Sequence, residues 1–251
     1  MANQKSTMGT IKTKSNIKYQ ISKMFILHGW TYSTQNWKPF LKALADAGLK
    51  PQLLKIPGLT EKIDRPWNLD GYVEWLNEKI GTHKAVLIGH SSGGRIALTY
   101  TLKYPQKVEH LILIDSAGVY HKELPIRIKR FIFRKIAKWG KRLSTYEGLR
   151  SLLYKLTGES DYRKASPLMR QTMQKLISYD LTPKLPQIKI PTLIIWGELD
   201  KTTPVDDGRL MHKLIPSSRL HIIRSAKHSP QFTNPKEVVR ITKKFIMRDS
   251  S

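Results

Sequence analysis

The stretch AVLIGHSSGG, residues 85–94, decides the fold. Its first four residues form a fully apolar run typical of a buried strand, and the pattern after Gly93 predicts an amphipathic helix. The Gly-x-Ser-x-Gly string therefore falls on a strand-to-helix turn, which lifts the Ser91 side chain above the edge of the sheet. Gly89 and Gly93 leave room where a side chain would collide with this turn. We therefore take Ser91 as a candidate nucleophile.

The same alternation of a buried strand and an amphipathic helix continues on both sides of this stretch. Short apolar runs predict strands and periodic segments predict helices, with strands at 24–27, 52–56, 85–88, 111–114, 192–196 and 219–223, and helices at 34–47, 69–79, 93–104, 205–214 and 235–247. Continuous apolar strands separated by helices indicate a mostly parallel sheet, here of about six strands, with helices on both faces.

The alternation of strands and helices breaks between 120 and 180, where helical patterns occur without a convincing strand. This predicts a helical insertion into a single α/β domain. The predicted organisation is a basic flexible tail over 1–22, a core formed by 23–118 and 183–251, and a helical cap over 119–182.

A serine hydroxyl is a poor nucleophile until a base takes its proton. His228 is the candidate base because it lies in the loop between the last predicted strand and the last helix, where such sheets place catalytic groups. Asp200 follows the strand at 192–196 and is the candidate acid that orients the histidine. Asp115, which ends the strand at 111–114, remains an alternative acid.

Two backbone N–H groups are candidates for the oxyanion hole. Ser92 follows the nucleophile at the start of a helix, where its N–H points toward developing negative charge. The loop His28-Gly29-Trp30 ends the first strand, and the N–H of Trp30 is the second candidate donor.

Together these segments resemble the α/β-hydrolase superfamily from Met24 onward. His28-Gly29 with Ser33 and Trp37 is similar to the family's opening motif, and 89–94 resembles its nucleophile elbow. The resemblance implies an α/β-hydrolase fold with Ser91, Asp200 and His228 as a catalytic triad and with a cap inserted at 119–182. Because the chain before Met24 is short, the family's leading strands are expected to be trimmed.

The resemblance also narrows the chemistry. Serine at the elbow argues against dehalogenases and epoxide hydrolases, which use aspartate there. Ser229 stands where carbon–carbon bond hydrolases often carry an aromatic residue, and Ser92 stands where proline aminopeptidases usually have Trp. We expect a hydrolase that cleaves small carboxylic esters or lactones through an acyl-enzyme. The alternatives are a thioesterase, a carbon–carbon bond hydrolase, or a non-catalytic binding protein that uses a basic surface.

Composition sets further limits. Of 251 residues 40% are hydrophobic and none is cysteine, which excludes disulfides, thiolate nucleophiles and cysteine-based zinc sites. No metal or cofactor is expected. No apolar run suits a signal peptide or a membrane span, so we expect a cytoplasmic protein. We further expect a monomer or a dimer.

The net charge of +25 is the unusual feature, and much of it falls in the predicted cap. Residues 122–175 contain 15 Lys and Arg against four acidic residues. A predicted helix at 125–143 has an apolar half, which includes Phe133 and Trp139, and a basic half, and Phe131 departs from this pattern. Phe131, Phe133 and Trp139 are candidate pocket residues. The basic half either faces water over a lid or contacts an anionic membrane or acidic partner. No nucleic-acid reader motif is present, which argues against nucleic acid as a partner.

Overall fold

A computed structural model describes residues 10–11, 19–20, 22–119 and 165–248. The main sheet has six strands, all parallel, in the spatial order β4-β3-β5-β6-β7-β8. Two strands of two residues, β1 (Thr10–Ile11) and β2 (Tyr19–Gln20), form a separate antiparallel pair. The main strands are β3 (Lys23–Leu27), β4 (Gln52–Leu53), β5 (Ala85–His90), β6 (Val108–Ile114), β7 (Thr192–Gly197) and β8 (Ser218–Ile223). The prediction of a parallel sheet of about six strands is confirmed.

Helices cover both faces of this sheet. They are α1 (Lys38–Asp46), α2 (Leu69–Ile80), α3 (Ser92–Lys103), α4 (Pro167–Ile177), α5 (Val205–Leu214), α6 (Pro230–Thr233) and α7 (Pro235–Arg248). Helices α1 and α7 pack on one face, and α2, α3 and α5 pack on the other. None of the helices in the described ranges is long and apolar enough to cross a membrane.

The central strands β5 and β7 are buried along their whole length because both of their faces are covered, whereas the edge strand β8 keeps Arg219 and His221 exposed. In β3, Met24 and Ile26 belong to the core on the α1 and α7 side, whereas Phe25 and Leu27 belong to the core on the opposite side. All four side chains are less than 5% exposed. Strand β3 therefore contributes to both cores. Burial of one large apolar side chain stabilises a fold by about 1.5–3 kcal/mol.

Two elements differ from their predicted extents. The strand predicted at 52–56 keeps ladder pairing only at Gln52–Leu53, because the edge strand then leads into the turn at Pro57-Gly58, where Gly58 has a φ of +81°. The helix predicted at 34–47 begins as a 3-10 turn at Gln35–Trp37, and α1 proper follows with Pro39 in its first turn.

The last part of the predicted cap packs on the core. Met169 and Leu176 of α4 are buried in the core beside α2 and α3, and the Trp67 N–H donates to Thr172 Oγ1 at 3.0 Å. The rest of the predicted cap, with the helix at 125–143 and the candidate pocket residues Phe131, Phe133 and Trp139, lies outside the described residues.

Close backbone packing fixes the turn between β5 and α3. A Cβ atom on Gly93 would lie 2.2 Å from the Leu27 carbonyl oxygen and 2.5 Å from that of His28. A Cβ atom on Gly89 would lie 2.5 Å from the Gly94 Cα. The glycines therefore allow α3 to start directly against the ends of β3 and β5.

We predict that Gly93→Ala lowers the free energy of unfolding by roughly 2–3 kcal/mol, because the added methyl group meets backbone that cannot move without shifting β3. The control is Gly81→Ala. Gly81 also needs strained backbone, with a φ of +68°, but nothing lies within 4 Å of the added Cβ, so the expected loss is about 1 kcal/mol. Urea unfolding measures both, and equal losses would contradict the packing argument.

Candidate active site

Ser91 lies at the carboxyl edge of the sheet in a strained conformation. Its φ of 52° and ψ of −120° are unusual for a residue with a side chain, and such a conformation costs on the order of 1–3 kcal/mol. Its N–H donates to the Ile114 carbonyl at 3.2 Å, and its own carbonyl accepts from the Gly94 N–H at 3.0 Å and from Ala117 at 2.9 Å. These bonds anchor the turn to β6 and α3, and the Ser91 side chain stays partly exposed.

The predicted base and acid come together although 28 residues separate them in the chain. His228 Nδ1 lies 2.7 Å from Asp200 Oδ2. The carboxylate can only accept, so Nδ1 carries the proton and Nε2 is left as the basic nitrogen. The Asp200 carboxyl is fully buried, whereas the His228 side chain is 24% exposed. Asp200 therefore fixes one tautomer of a histidine that is partly exposed to solvent.

Thr203 holds Asp200, and sequence reasoning missed it. The Thr203 hydroxyl lies 2.7 Å from Asp200 Oδ2 and 3.1 Å from the main-chain oxygen of Asp115, so its single proton is directed mainly to the carboxylate. The N–H groups of Thr202 and Thr203 donate to Asp200 Oδ1 at 2.7 and 3.1 Å. The pattern Asp-x-x-Thr after a strand is the signal that could have indicated this turn.

The Asp200 carboxylate is stabilised in its charged form. Burial raises its pKa, but the hydrogen bond and the charge of His228, together with the bonds from Thr203 and Thr202, outweigh burial and hold the pKa below its usual value. Asp200 is therefore negatively charged at neutral pH, beside the Nδ1–H of His228.

His90, which precedes Ser91, lies against the base. The two imidazole rings are 5.1 Å apart and tilted by 43°, and His90 Nε2 lies 3.3 Å from the His228 carbonyl oxygen. Burial, together with the neighbouring His228, lowers the pKa of His90 to about 3. His90 is therefore a neutral packing partner of His228. Within the described residues Ser91 and His228 are not hydrogen-bonded, and such catalytic bonds commonly tighten only when substrate is bound.

The loop proposed for the oxyanion hole lies beside the nucleophile. A Cβ atom on Gly29 would be 3.0 Å from the Ser91 Cβ. Ser92 is the first residue of α3, so its N–H has no partner within the helix and lies at the positive end of the helix dipole. The N–H groups of Trp30 and Ser92 therefore belong to segments that meet at Ser91.

A chain of hydrogen bonds supports this loop. The Ile56 N–H donates to Thr60 Oγ1 at 2.8 Å, and Thr60 lies 3.1 Å from His28 Nε2. His28 Nδ1 lies 2.8 Å from the Gly29 carbonyl oxygen. Burial lowers the pKa of His28 despite its bond to Gly29, so the ring is neutral, donating from Nδ1 and accepting at Nε2. Sequence reasoning missed Thr60.

The alternative acid, Asp115, is also near the base. One carboxylate oxygen of Asp115 and one ring nitrogen each of His90 and His228 lie within 4.8 Å of one another. This is the one group in the described ranges whose residue types suit a metal ion. It contains the candidate base, so it forms part of the same site.

This fold and this site define a hydrolase with a serine at a strand-to-helix elbow. The chain belongs to the alpha/beta hydrolase fold family, whose model matches residues 24–235. The predicted resemblance is thereby confirmed, and the protein is a hydrolase of this family.

Three relatives carry out different reactions on related chains. A 2-hydroxy-6-oxo-6-phenylhexa-2,4-dienoate hydrolase of Comamonas testosteroni is 27% identical over 87% of this chain and 82% of its own. A putative 2-succinyl-6-hydroxy-2,4-cyclohexadiene-1-carboxylate synthase of Bacillus subtilis is 28% identical over 88% of each chain. A pimeloyl-[acyl-carrier protein] methyl ester esterase of Shewanella woodyi is 24% identical, over 84% of this chain and 88% of its own. The similarity extends across nearly the whole chain without selecting one reaction.

We predict that Thr203→Val lowers kcat/KM about 10- to 100-fold. A hydrogen bond to a charged group contributes about 1.5–3 kcal/mol, and its loss raises the pKa of Asp200 toward its usual value. The weaker hold on Asp200 should lower kcat more than it raises KM, because Asp200 acts through His228 and not on the substrate. Thr203→Ser keeps the hydroxyl and should stay near wild type. An unchanged kcat in the valine variant would show that Thr203 does not hold Asp200.

Proposed function

We propose that the protein hydrolyses small carboxylic esters, including lactones, through an acyl-enzyme. The observation that carries this proposal is the 2.7 Å contact of His228 with a buried, charged Asp200, beside a serine on a strained elbow. Such an arrangement suits activation of a hydroxyl nucleophile at neutral pH. The esterase relative supports the ester assignment.

In the first half of the reaction, the Ser91 oxygen attacks the substrate carbonyl while its proton moves to His228 Nε2. The carbonyl oxygen becomes negatively charged and is stabilised by the N–H groups of Trp30 and Ser92. Asp200 stabilises the imidazolium through Nδ1. When the intermediate collapses, His228 returns the proton to the leaving alcohol and an ester with Ser91 remains.

In the second half, water takes the place of the alcohol. His228 removes a proton from the water, which attacks the acyl carbon, and the tetrahedral oxygen is again held by the two N–H groups. His228 then protonates the Ser91 oxygen as the acid leaves. In both halves of the reaction Nε2 of His228 accepts and returns the proton. The tautomer set by Asp200 is needed because it keeps the resting proton on Nδ1 and leaves Nε2 free.

A carbon–carbon bond hydrolase is the second candidate, favoured by the Comamonas relative. Ser229, which follows the base, favours the ester reaction, because that position is often aromatic in carbon–carbon bond hydrolases. The predicted contacts with an anionic membrane or an acidic partner, the monomeric or dimeric state and the cytoplasmic location stay predictions.

We expect Ser91→Ala to lower kcat for a short-chain nitrophenyl ester by about 10⁴-fold or more, because the nucleophile, base and acid act as one unit. A fluorophosphonate probe should add one phosphonyl group to the wild type and none to the variant, as measured by intact mass. Ser178→Ala, an exposed serine at the end of α4, is the matched control and should retain full activity. Undiminished turnover in Ser91→Ala would refute the proposal.

The preferred bond is tested on one enzyme preparation with four substrate classes: a methyl ester, a lactone, a thioester and a vinylogous 1,5-diketone. We expect kcat/KM to be highest for the ester or the lactone. If the diketone is cleaved fastest, and Ser91→Ala abolishes that cleavage, the carbon–carbon bond hydrolase replaces the ester hydrolase as the function.

A further inference from the structure

Asp115 is a buried acid at the active site with no established use. It directly follows β6, as Ser91 follows β5, and it has a φ of 43°, a conformation that costs a residue with a side chain free energy. Its N–H donates to the Ile195 carbonyl at 3.0 Å, and the residue is completely buried. The backbone therefore places this carboxyl at the edge of the sheet where the candidate triad lies.

One of the two oxygens of the Asp115 carboxyl lacks a hydrogen-bond partner in the described residues. Oδ1 accepts from the Gly197 N–H at 2.8 Å, whereas Oδ2 is buried without a hydrogen bond in the described part of the structure. A buried polar atom left unpaired is costly, so its retention calls for an explanation. One carboxylate oxygen of Asp115 and one ring nitrogen each of His228 and His90 lie within 4.8 Å of one another.

Two carboxyls thus lie near one histidine. Asp200 comes from the loop after β7 and bonds His228 directly, and Asp115 comes from the end of β6. Burial, with a smaller contribution from the neighbouring charge of Asp200, raises the pKa of Asp115 to about 8 despite the opposing bond from Gly197. Around neutral pH Asp200 therefore carries the negative charge, and Asp115 keeps its proton.

We propose that Asp115 is a second orienting acid for His228, which replaces Asp200 when Asp200 no longer carries its charge. When the charge of Asp200 is removed, burial still keeps the pKa of Asp115 high, and Asp115 gives its proton to solvent as the pH rises toward that pKa. The resulting carboxylate accepts the Nδ1–H of His228 after a local rotation, and Nε2 can again take the Ser91 proton. Asp115 acts through His228 and is a positioning residue. The proposal rests on the proposed function of the triad.

The activity test compares Asp200→Asn, Asp115→Asn and the double variant with wild type between pH 5 and 9. Loss of the orienting acid alone typically lowers kcat by roughly 10⁴-fold. We expect Asp200→Asn to lose only about 10²-fold and the double variant about 10⁴-fold, with KM little changed. The rate of Asp200→Asn should rise with pH through an ionisation that the double variant lacks.

The matched control adds Asp207→Asn to Asp200→Asn. Asp207 is another buried carboxyl, in α5, outside the group formed by His90, Asp115 and His228, so it should cause no further loss of kcat. Equal activity of Asp200→Asn and the Asp115/Asp200 double variant across the pH range would overturn the proposal. If Asp200→Asn does not fold, Thr203→Val replaces it, and Asp115→Asn must then cost more in that background than in wild type.

A stability measurement tests the resting state without using activity. The folded protein holds a proton on Asp115 that the unfolded chain releases above about pH 4, so wild type loses stability as pH rises from about 4 to about 8. Asp115→Asn lacks this loss. Its urea midpoint relative to that of wild type should therefore increase across this window. A constant difference between the two midpoints would overturn the assignment of Asp115 as a second acid that is protonated at rest.

The two failures are distinguishable. If wild type neither turns over esters nor reacts with the fluorophosphonate probe, the proposed function fails, while the urea comparison still decides whether Asp115 is protonated. If wild type is active and Ser91-dependent, the ratio of Asp200→Asn to the double variant decides the role of Asp115 by itself.

Discussion

The backbone of Gly93 lies against the carbonyl oxygens of Leu27 and His28. This contact joins β3, β5 and α3 at one point, and the geometry of the site follows from it. Because α3 starts so close to β3, Ser91 is held in a left-handed conformation with its side chain raised, and the loop after β3 lies beside it. The strain at Ser91 persists because bonds to Ile114, Gly94 and Ala117 anchor the turn from several sides.

The second organising constraint is electrostatic. Asp200, Asp115, His90 and His228 meet in a region largely removed from water, where charges are costly unless they are paired. The site meets this cost by keeping one carboxylate ionised and bonded, one carboxyl protonated, and His90 neutral. His228 is the one of these four residues that is not buried.

The sequence predicted those parts of the molecule whose signals are local. Apolar runs indicated the buried strands, and Ser91 was evident because its glycines flank a strand and a helix. The short β4 was overestimated, because its apolar run continues past the point where the edge strand leaves the sheet. Thr203 and Thr60 were missed, because a threonine in a loop has no pattern that distinguishes a hydroxyl bonded to Asp200 or His28 from one that faces water.

By itself, the sequence determined the order of elements, the parallel sheet, the elbow serine and the chain order of the candidate triad, because each depends on neighbouring residues or on a fixed periodicity. The tertiary structure decided which of two aspartates bonds His228, which hydroxyls support the site, and where burial moves a pKa. Those outcomes depend on distances between loops that follow different strands, and on exclusion of water from the space between them, which exists only once the sheet has formed.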